Sequence, residues 1–280
     1  MWILSGGCMS VYNCKVFCYA NGKQQIRFYG FDIHEKDSIT EKIQEKRSLV
    51  KELLKDNNYD VNKEFSAYVS KNRTINNIYS ITRSNVWDYF ITMTFDAKRV
   101  DRYDYDACMK SASEYFKFLK RMFAKDLYYI LVPEQHKDGA WHIHGLIGGS
   151  EGLNISYSGH NDKKGRKIYH LPSYIYGFSD CTKISHQFAA CSYMTKYVTK
   201  DLCFETMYRN RYICSKNINV AKEKKYRISK DRFYDLLNKM ENINFVKTVD
   251  DGENFVIYLE TEGNENYLDF VYNENEFTDL

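Results

Sequence analysis

The sequence predicts an α+β fold, because hairpin patterns and helical patterns are both present along its 280 residues. The first hairpin is indicated by segment 10–33, which alternates and breaks at Asn21-Gly22, a strong signal for a tight turn. The second is indicated by two apolar runs, 127–134 and 140–147, which a short Lys-Asp-Gly loop joins. Antiparallel pairing is therefore expected at both places.

Helices and further strands follow from the spacing of apolar residues. Helical spacing marks four segments: 38–54, 63–83, 105–123 and 186–202. The short, β-branched run "YFITMTF", residues 89–95, predicts a buried strand, and residues 211–215 predict another. Residues 148–166 are rich in Gly, Ser, Asn and Lys and predict a loop.

The charge is distributed unevenly along the chain. No Lys or Arg follows Lys247, whereas ten Asp or Glu do, so the net charge of +3 conceals an excess of +13 in the first 249 residues. Such an excess suits a polyanionic partner, although an ordinary basic surface would also produce it.

Three regions are expected. Strands and helices at 1–84 pack on a core at 85–215, and a C-terminal region at 216–280 is basic and then acidic. No apolar run approaches the ~18 residues of a membrane span, and the start lacks the basic region of a signal peptide. The eight cysteines include no CxxC pair, which favours free thiols. A cytoplasmic protein without a membrane partner is expected.

Two histidines stand one residue apart in the strand-like run "AWHIHGLI". Alternate residues of a strand point to one face, so His142 and His144 are expected side by side. With 137–139 as the loop, Glu134 lies opposite His142, at a Cβ spacing of about 5 Å. Two imidazoles and a carboxylate suit Mg²⁺ or Mn²⁺ and leave positions for phosphate and water. A Glu–His surface pair, or a register shifted by one residue, is the alternative.

The segment "SYMTKYVTKD" places Tyr193 and Tyr197 four residues apart. At about 100° per residue, Tyr193, Tyr197 and Lys200 share one helical face, with Lys196 at its edge. The other face is expected to pack inward through four residues: Phe188, Cys191, Val198 and Leu202. The same spacing is typical of a surface helix whose long side chains cover apolar neighbours.

Together these segments resemble a known family. "FITMTF", "HIHG" and "YMTKYVTKD", in that order, look like the three motifs of HUH-superfamily rolling-circle replication initiators, the Rep proteins of plasmids, small single-stranded DNA viruses and phages. The glutamate eight residues before the first histidine is similar to the metal-ligand arrangement of several viral Reps. The two tyrosines, each followed three residues later by Lys, resemble the two-tyrosine gene A type of isometric phages. The resemblance covers residues 85–205.

The resemblance implies a central antiparallel β-sheet flanked by helices, with both histidines on a central strand and the tyrosine helix beside the metal. It implies a metal-dependent DNA endonuclease and strand transferase that leaves a 5′-phosphotyrosine link and a free 3′-OH. Single-stranded DNA at a replication origin is the implied substrate. Six residues are assigned in this way, three as ligands of Mg²⁺ or Mn²⁺ and three in catalysis: Glu134, His142 and His144, and Tyr197, Tyr193 and Lys200.

Other features limit the resemblance or leave alternatives open. No GxxxxGK[ST] phosphate-binding loop is present, so a host helicase as well as a host DNA polymerase is expected as a partner. "FITMTF" is expected to supply a core strand without catalytic groups. The alternatives are an HUH transposase or relaxase, or a non-catalytic DNA-binding regulator that keeps the scaffold. The remaining histidines are expected to be surface or structural residues: His34, His136, His160, His170 and His186.

Overall fold

The computed structural model describes residues 11–20, 22–34, 61–206, 209–240, 243–250 and 254–262. The chain divides into two compact units, one of Asn62–Val220 and one drawn from Met1–Val61 and Ala221–Leu280. These boundaries differ from those predicted at 84 and 215. The two ends of the chain share a unit because their strands pair in one sheet.

The larger unit contains one antiparallel sheet with helices, which confirms the α+β fold class. Its strands are β3 (Tyr89–Thr94), β4 (Tyr128–Gln135), β5 (Trp141–Gly148), β6 (Ser156–Asn161), β7 (Lys167–His170), β8 (Ser179–Lys183) and β9 (Ile213–Cys214). Its helices are α1 (Val61–Arg83), α2 (Tyr105–Met122), α3 (Gln187–Met194) and α4 (Lys200–Glu205), with a 3₁₀ turn at Thr195–Tyr197. The strand order is β6-β7-β8-β3-β5-β4-β9.

The smaller unit is a five-stranded antiparallel sheet with one helix among its described residues. Its elements are β1 (Val11–Cys18), β2 (Lys23–His34), β10 (Lys222–Tyr226), α5 (Lys230–Lys239), β11 (Ile243–Asp250) and β12 (Phe255–Glu262). The hairpin predicted at Asn21-Gly22 joins β1 to β2, and Gly22 has the positive φ (77°) that such a turn requires. The sheet order β10-β1-β2-β12-β11 makes β12 an interior strand. The acidic C-terminal region therefore supplies part of a folded sheet.

The central strands of the larger sheet are covered on both faces. One face carries Ile91, Met93 and Ile143, which are all fully buried. On this face Phe116 of α2 packs on Tyr129 of β4, with ring centroids 4.5 Å apart. The other face carries His142 and His144. Residues 129–132 are buried without interruption, which explains why the sequence of β4 is a continuous apolar run.

Helix α2 begins where the sequence predicts it. The Asp104 carboxylate accepts hydrogen bonds from the backbone N–H groups of Asp106 and Ala107, which caps the first turn. Tyr115 and Leu119 are buried as expected, but Phe118 and Met122 are exposed. The buried stripe is therefore narrower at the C-terminal end of the helix than the apolar pattern indicates.

The predicted loop at 148–166 is wrong in part, because it contains β6 and leads into β7. The turn between them is organised by Asp162, whose carboxylate accepts the backbone N–H groups of Lys164 and Arg166. Strand β6 lies at the edge of the sheet and is largely exposed, so its composition is polar and resembles that of a loop.

Two other expectations concern the chain as a whole. The seven described cysteines are free, and five of them are buried. Across the described ranges, no helix combines the length and apolar character that a membrane span needs. The helix predicted at 38–54 lies outside the described residues.

Candidate active site

The hairpin of β4 and β5 has the predicted register. Glu134 pairs with His142, and the N–H of His136 donates to the carbonyl of Ala140 at 2.9 Å across the turn. Strand β5 lies between β3 and β4, which places His142 and His144 on a central strand. The register shift considered as an alternative does not occur.

His144 has a partner on each ring nitrogen. Its Nε2 lies 2.7 Å from Glu134 Oε2, and its Nδ1 lies 3.1 Å from Thr92 Oγ1 on β3. Burial lowers the pKa of His144, while the hydrogen bond and charge of Glu134 oppose this effect. The burial therefore favours the neutral imidazole, the form that ligates a metal ion.

His142 has a different neighbour. Its ring stacks on that of His136 with centroids 3.5 Å apart, so His136 belongs to the site and is not merely a surface residue. Burial, and then the nearby His136 and His144, lower the pKa of His142. The Glu134 carboxylate contacts His144 on the diagonal, although His142 lies directly opposite it. Within the ranges that the structure describes, no three His, Cys, Asp or Glu side chains are gathered as a ready metal-binding group.

The donor types nevertheless fit a divalent cation. Glu134, His142 and His144 share one face of the sheet and offer a carboxylate and two imidazoles. Thr92 holds the Nδ1 side of His144, as outer partners of metal-ligating histidines do. The metal assignment stays a prediction.

The predicted helix at 186–202 is not continuous. Helix α3 ends at Met194, and Val198, with φ −84° and ψ 84°, separates the 3₁₀ turn from α4. The Thr199 hydroxyl accepts the backbone N–H of Leu202 at 3.0 Å and so starts a new helix. Lys200 is the first residue of α4, and its side chain lies outside the described part of the structure. A single helical face carrying Tyr193, Tyr197 and Lys200 is therefore a wrong prediction.

The two tyrosines occupy different environments. Tyr197 is buried and stacks on His144, with ring centroids 3.8 Å apart and planes at 11°. Tyr193 is 44% exposed, meets the Tyr197 ring edge-on at 5.4 Å, and has Lys196 Nζ 4.9 Å from its ring centre. Burial raises the pKa of Tyr197, and its hydrogen bond with Tyr193 and the charge of Glu134 add to this. The break in the helix thus brings one phenol to His144 and leaves the other at the surface.

The residues predicted to pack inward behave in two ways. Cys191, Val198 and Leu202 are buried, as expected. Phe188 is 48% exposed, which corrects the prediction, and the Arg83 guanidinium lies 4.9 Å from its ring centre.

The strand β3 contributes more than core packing, which corrects the expectation for "FITMTF". Thr92 contacts His144, and the Phe90 ring lies within 5.4–6.2 Å of the rings of His144, Tyr193 and Tyr197. The alternation of this strand could have indicated both, because Phe90 and Thr92 share one face while Ile91 and Met93 enter the core.

The span from β3 to α4 therefore contains all the residues assigned to the site. Residues 88–202 match the family model of the replication-associated protein ORF2. This match covers less than half of the chain and includes all six predicted site residues. It supports membership of a replication-initiator family, a role in DNA replication and hence an interaction with DNA. No curated protein and no solved structure matches the chain.

Proposed function

We propose that the protein is a rolling-circle replication initiator that nicks single-stranded DNA and transfers strands through a 5′-phosphotyrosine intermediate. The observation that carries the proposal is the position of His144 between the Glu134 carboxylate, at 2.7 Å, and the stacked ring of Tyr197. A nucleophile and candidate metal ligands thus meet on one face of the sheet. The family match to replication-associated proteins agrees with this role.

The proposed reaction uses the phenol oxygen of Tyr197. That oxygen attacks the phosphorus of the scissile phosphodiester, the P–O3′ bond breaks, and the 3′ oxygen takes up a proton and leaves as a 3′-OH. A phenol with an ordinary pKa of about 10 is a poor nucleophile at neutral pH, and burial raises the pKa of Tyr197 further. Glu134, His142 and His144 would hold Mg²⁺ or Mn²⁺, which supplies positive charge for the phosphate and for the leaving oxygen. The covalent link conserves a bond for rejoining the DNA.

The second tyrosine suits a second transfer. Tyr193 packs directly against Tyr197, and its exposure leaves the phenol accessible to an incoming strand. A released 3′-OH can attack the phosphotyrosine of the first residue while the second residue is free to cut. Two adjacent phenols therefore allow successive transfers at one site.

Covalent capture tests the proposal without knowledge of the origin sequence. The full chain is incubated with Mn²⁺ and a pool of single-stranded oligonucleotides of random sequence. Adducts that survive denaturation are then isolated and sequenced. We expect adducts enriched in one sequence, blocked by EDTA and absent from the Tyr193→Phe/Tyr197→Phe variant.

The same experiment separates the alternatives. Sequence-specific binding without any adduct would support the DNA-binding regulator and overturn the nuclease. Adducts on a sequence that forms an element end, and not on a replication origin, would favour the transposase.

A further inference from the structure

We infer that a single-stranded DNA segment binds along strand β8, with its phosphates at Lys164 and Lys183 and one base stacked on Phe178. This inference rests on the proposed function and names surfaces outside the metal and tyrosine residues. Strand β8 lies next to β3, on the side away from the histidines of β5. Three observations support it: a groove, its basic rim and an exposed aromatic ring.

The groove has a volume of about 560 Å³, within the range of sites that hold small organic ligands. Its floor includes Phe90, Thr92 and Asp180, and Tyr193 forms part of one wall. Because Thr92 also contacts His144, the groove begins next to the candidate active site. A strand in the groove would therefore pass the exposed phenol of Tyr193.

Basic side chains stand at the rim of this groove. Lys164 and Arg166, from the turn between β6 and β7, line it together with Lys183 at the end of β8. The turn is held in shape by Asp162, whose carboxylate accepts two backbone N–H groups and an Arg166 Nε–H at 2.7 Å. Asp162 is thus engaged within the turn, while both lysines are exposed and able to meet phosphate.

Phe178 stands at the other end of β8. It is 80% exposed, the largest exposed fraction among the large apolar side chains of the described residues. Its carbonyl accepts the N–H of Thr94, which continues the ladder between β8 and β3. Ser179 and Cys181 are buried and Asp180 is exposed, so alternation places Phe178 on the face that carries the histidines.

These features form a path that suits single-stranded nucleic acid. Strand β8 has five residues, a length of roughly 17 Å, with cations at one end and an aromatic ring at the other. Proteins bind single strands by combining a basic groove with aromatic rings on which bases stack. The two ends of the path therefore make different contributions, one electrostatic and one from stacking.

Salt dependence distinguishes these contributions. Binding of a fluorescent single-stranded oligonucleotide to the full chain is measured in EDTA, at several salt concentrations. For Lys164→Gln/Lys183→Gln we expect the slope of log K against log[salt] to fall in magnitude by about 1.4, since each single-strand phosphate contact contributes about 0.7. For Phe178→Ala we expect binding about 5- to 150-fold weaker with an unchanged slope.

Matched controls carry the same chemical changes elsewhere. Lys163→Gln/Lys98→Gln removes two exposed charges that do not line the groove, and Tyr68→Ala removes an exposed ring from α1. Both controls should bind like the unaltered protein. Equal effects of the control and test variants would overturn the path along β8. Loss of nicking activity in the unaltered chain would instead contradict the proposed function, because this binding assay does not depend on cleavage.

Discussion

At the residue scale, the distinctive feature is an imidazole enclosed on several sides. His144 contacts Glu134 through one nitrogen, Thr92 through the other, and the Tyr197 ring through its face. The neutral form that burial favours can coordinate a cation or accept a hydrogen bond. Changes at this residue should therefore affect chemistry more than DNA affinity.

The histidines provide the first prediction. His142→Ala/His144→Ala should abolish adduct formation, because it removes two of the three proposed metal ligands, while DNA binding is largely retained. Adduct is measured on denaturing gels with Mn²⁺ and with EDTA. His34→Ala, an exposed histidine of the smaller unit, is the control and should retain full activity. Full activity in EDTA would rule out the metal site.

The tyrosines provide the second prediction. Tyr197→Phe should remove most of the first cut, because Tyr197 is the phenol stacked on His144. Tyr193→Phe should spare that cut and impair the later transfer that closes the displaced circle. Peptide mapping of the adduct is the measurement. Adduct on Tyr193 alone would reverse the assignment, and adduct on neither tyrosine would exclude this nuclease mechanism.

At the element scale, the interrupted helix decides where the two tyrosines lie. A continuous helix would keep both phenols on one face, whereas the 3₁₀ turn buries Tyr197 and leaves Tyr193 exposed. The interruption is stabilised locally, by the Thr195 hydroxyl donating to the Ser192 carbonyl and by the Thr199 cap of α4.

The cap provides the third prediction. Thr199→Ala should lower the free energy of unfolding by about 0.5–2 kcal/mol, because the N–H of Leu202 loses its acceptor. Thr199→Ser keeps a hydroxyl at the same position and should restore most of the loss. Denaturant unfolding of both variants is the measurement. Equal stability of the Ala and Ser variants would show that the cap contributes little.

At the scale of the whole molecule, the two ends of the chain form one sheet. Strand β12 pairs with both β2 and β11, and its Ile257 and Leu259 are buried. A simple charge argument would treat residues 250–280 as a removable acidic tail. The pairing shows that the first part of this segment is structural.

Two truncations provide the fourth prediction. Ending the chain at residue 250 should destabilise the smaller unit, since each buried aliphatic side chain lost costs about 2–5 kcal/mol. Ending it at residue 262 keeps β12 and removes five carboxylates, so DNA binding should be unchanged or tighter. Unfolding transitions and oligonucleotide affinity are measured for both. A stable chain ending at 250 would contradict the structural role of β12.

The sequence by itself determined the features that depend on local periodicity and turn chemistry. It predicted the α+β class, the hairpin of β4 and β5 with Glu134 opposite His142, and the helix bounded by Tyr105 and Met122. These follow from alternation, helical spacing and turn residues, which neighbouring residues set among themselves.

Only the tertiary structure decided which side chains meet. The contact of Glu134 with the diagonal His144, the stacking of His136 on His142 and the packing of Phe90 on both tyrosines join residues from separate elements. The pairing of β12 with β2 likewise joins residues more than 200 positions apart. Such contacts depend on side-chain rotamers, helix breaks and sheet order, and short-range patterns in the sequence do not specify these.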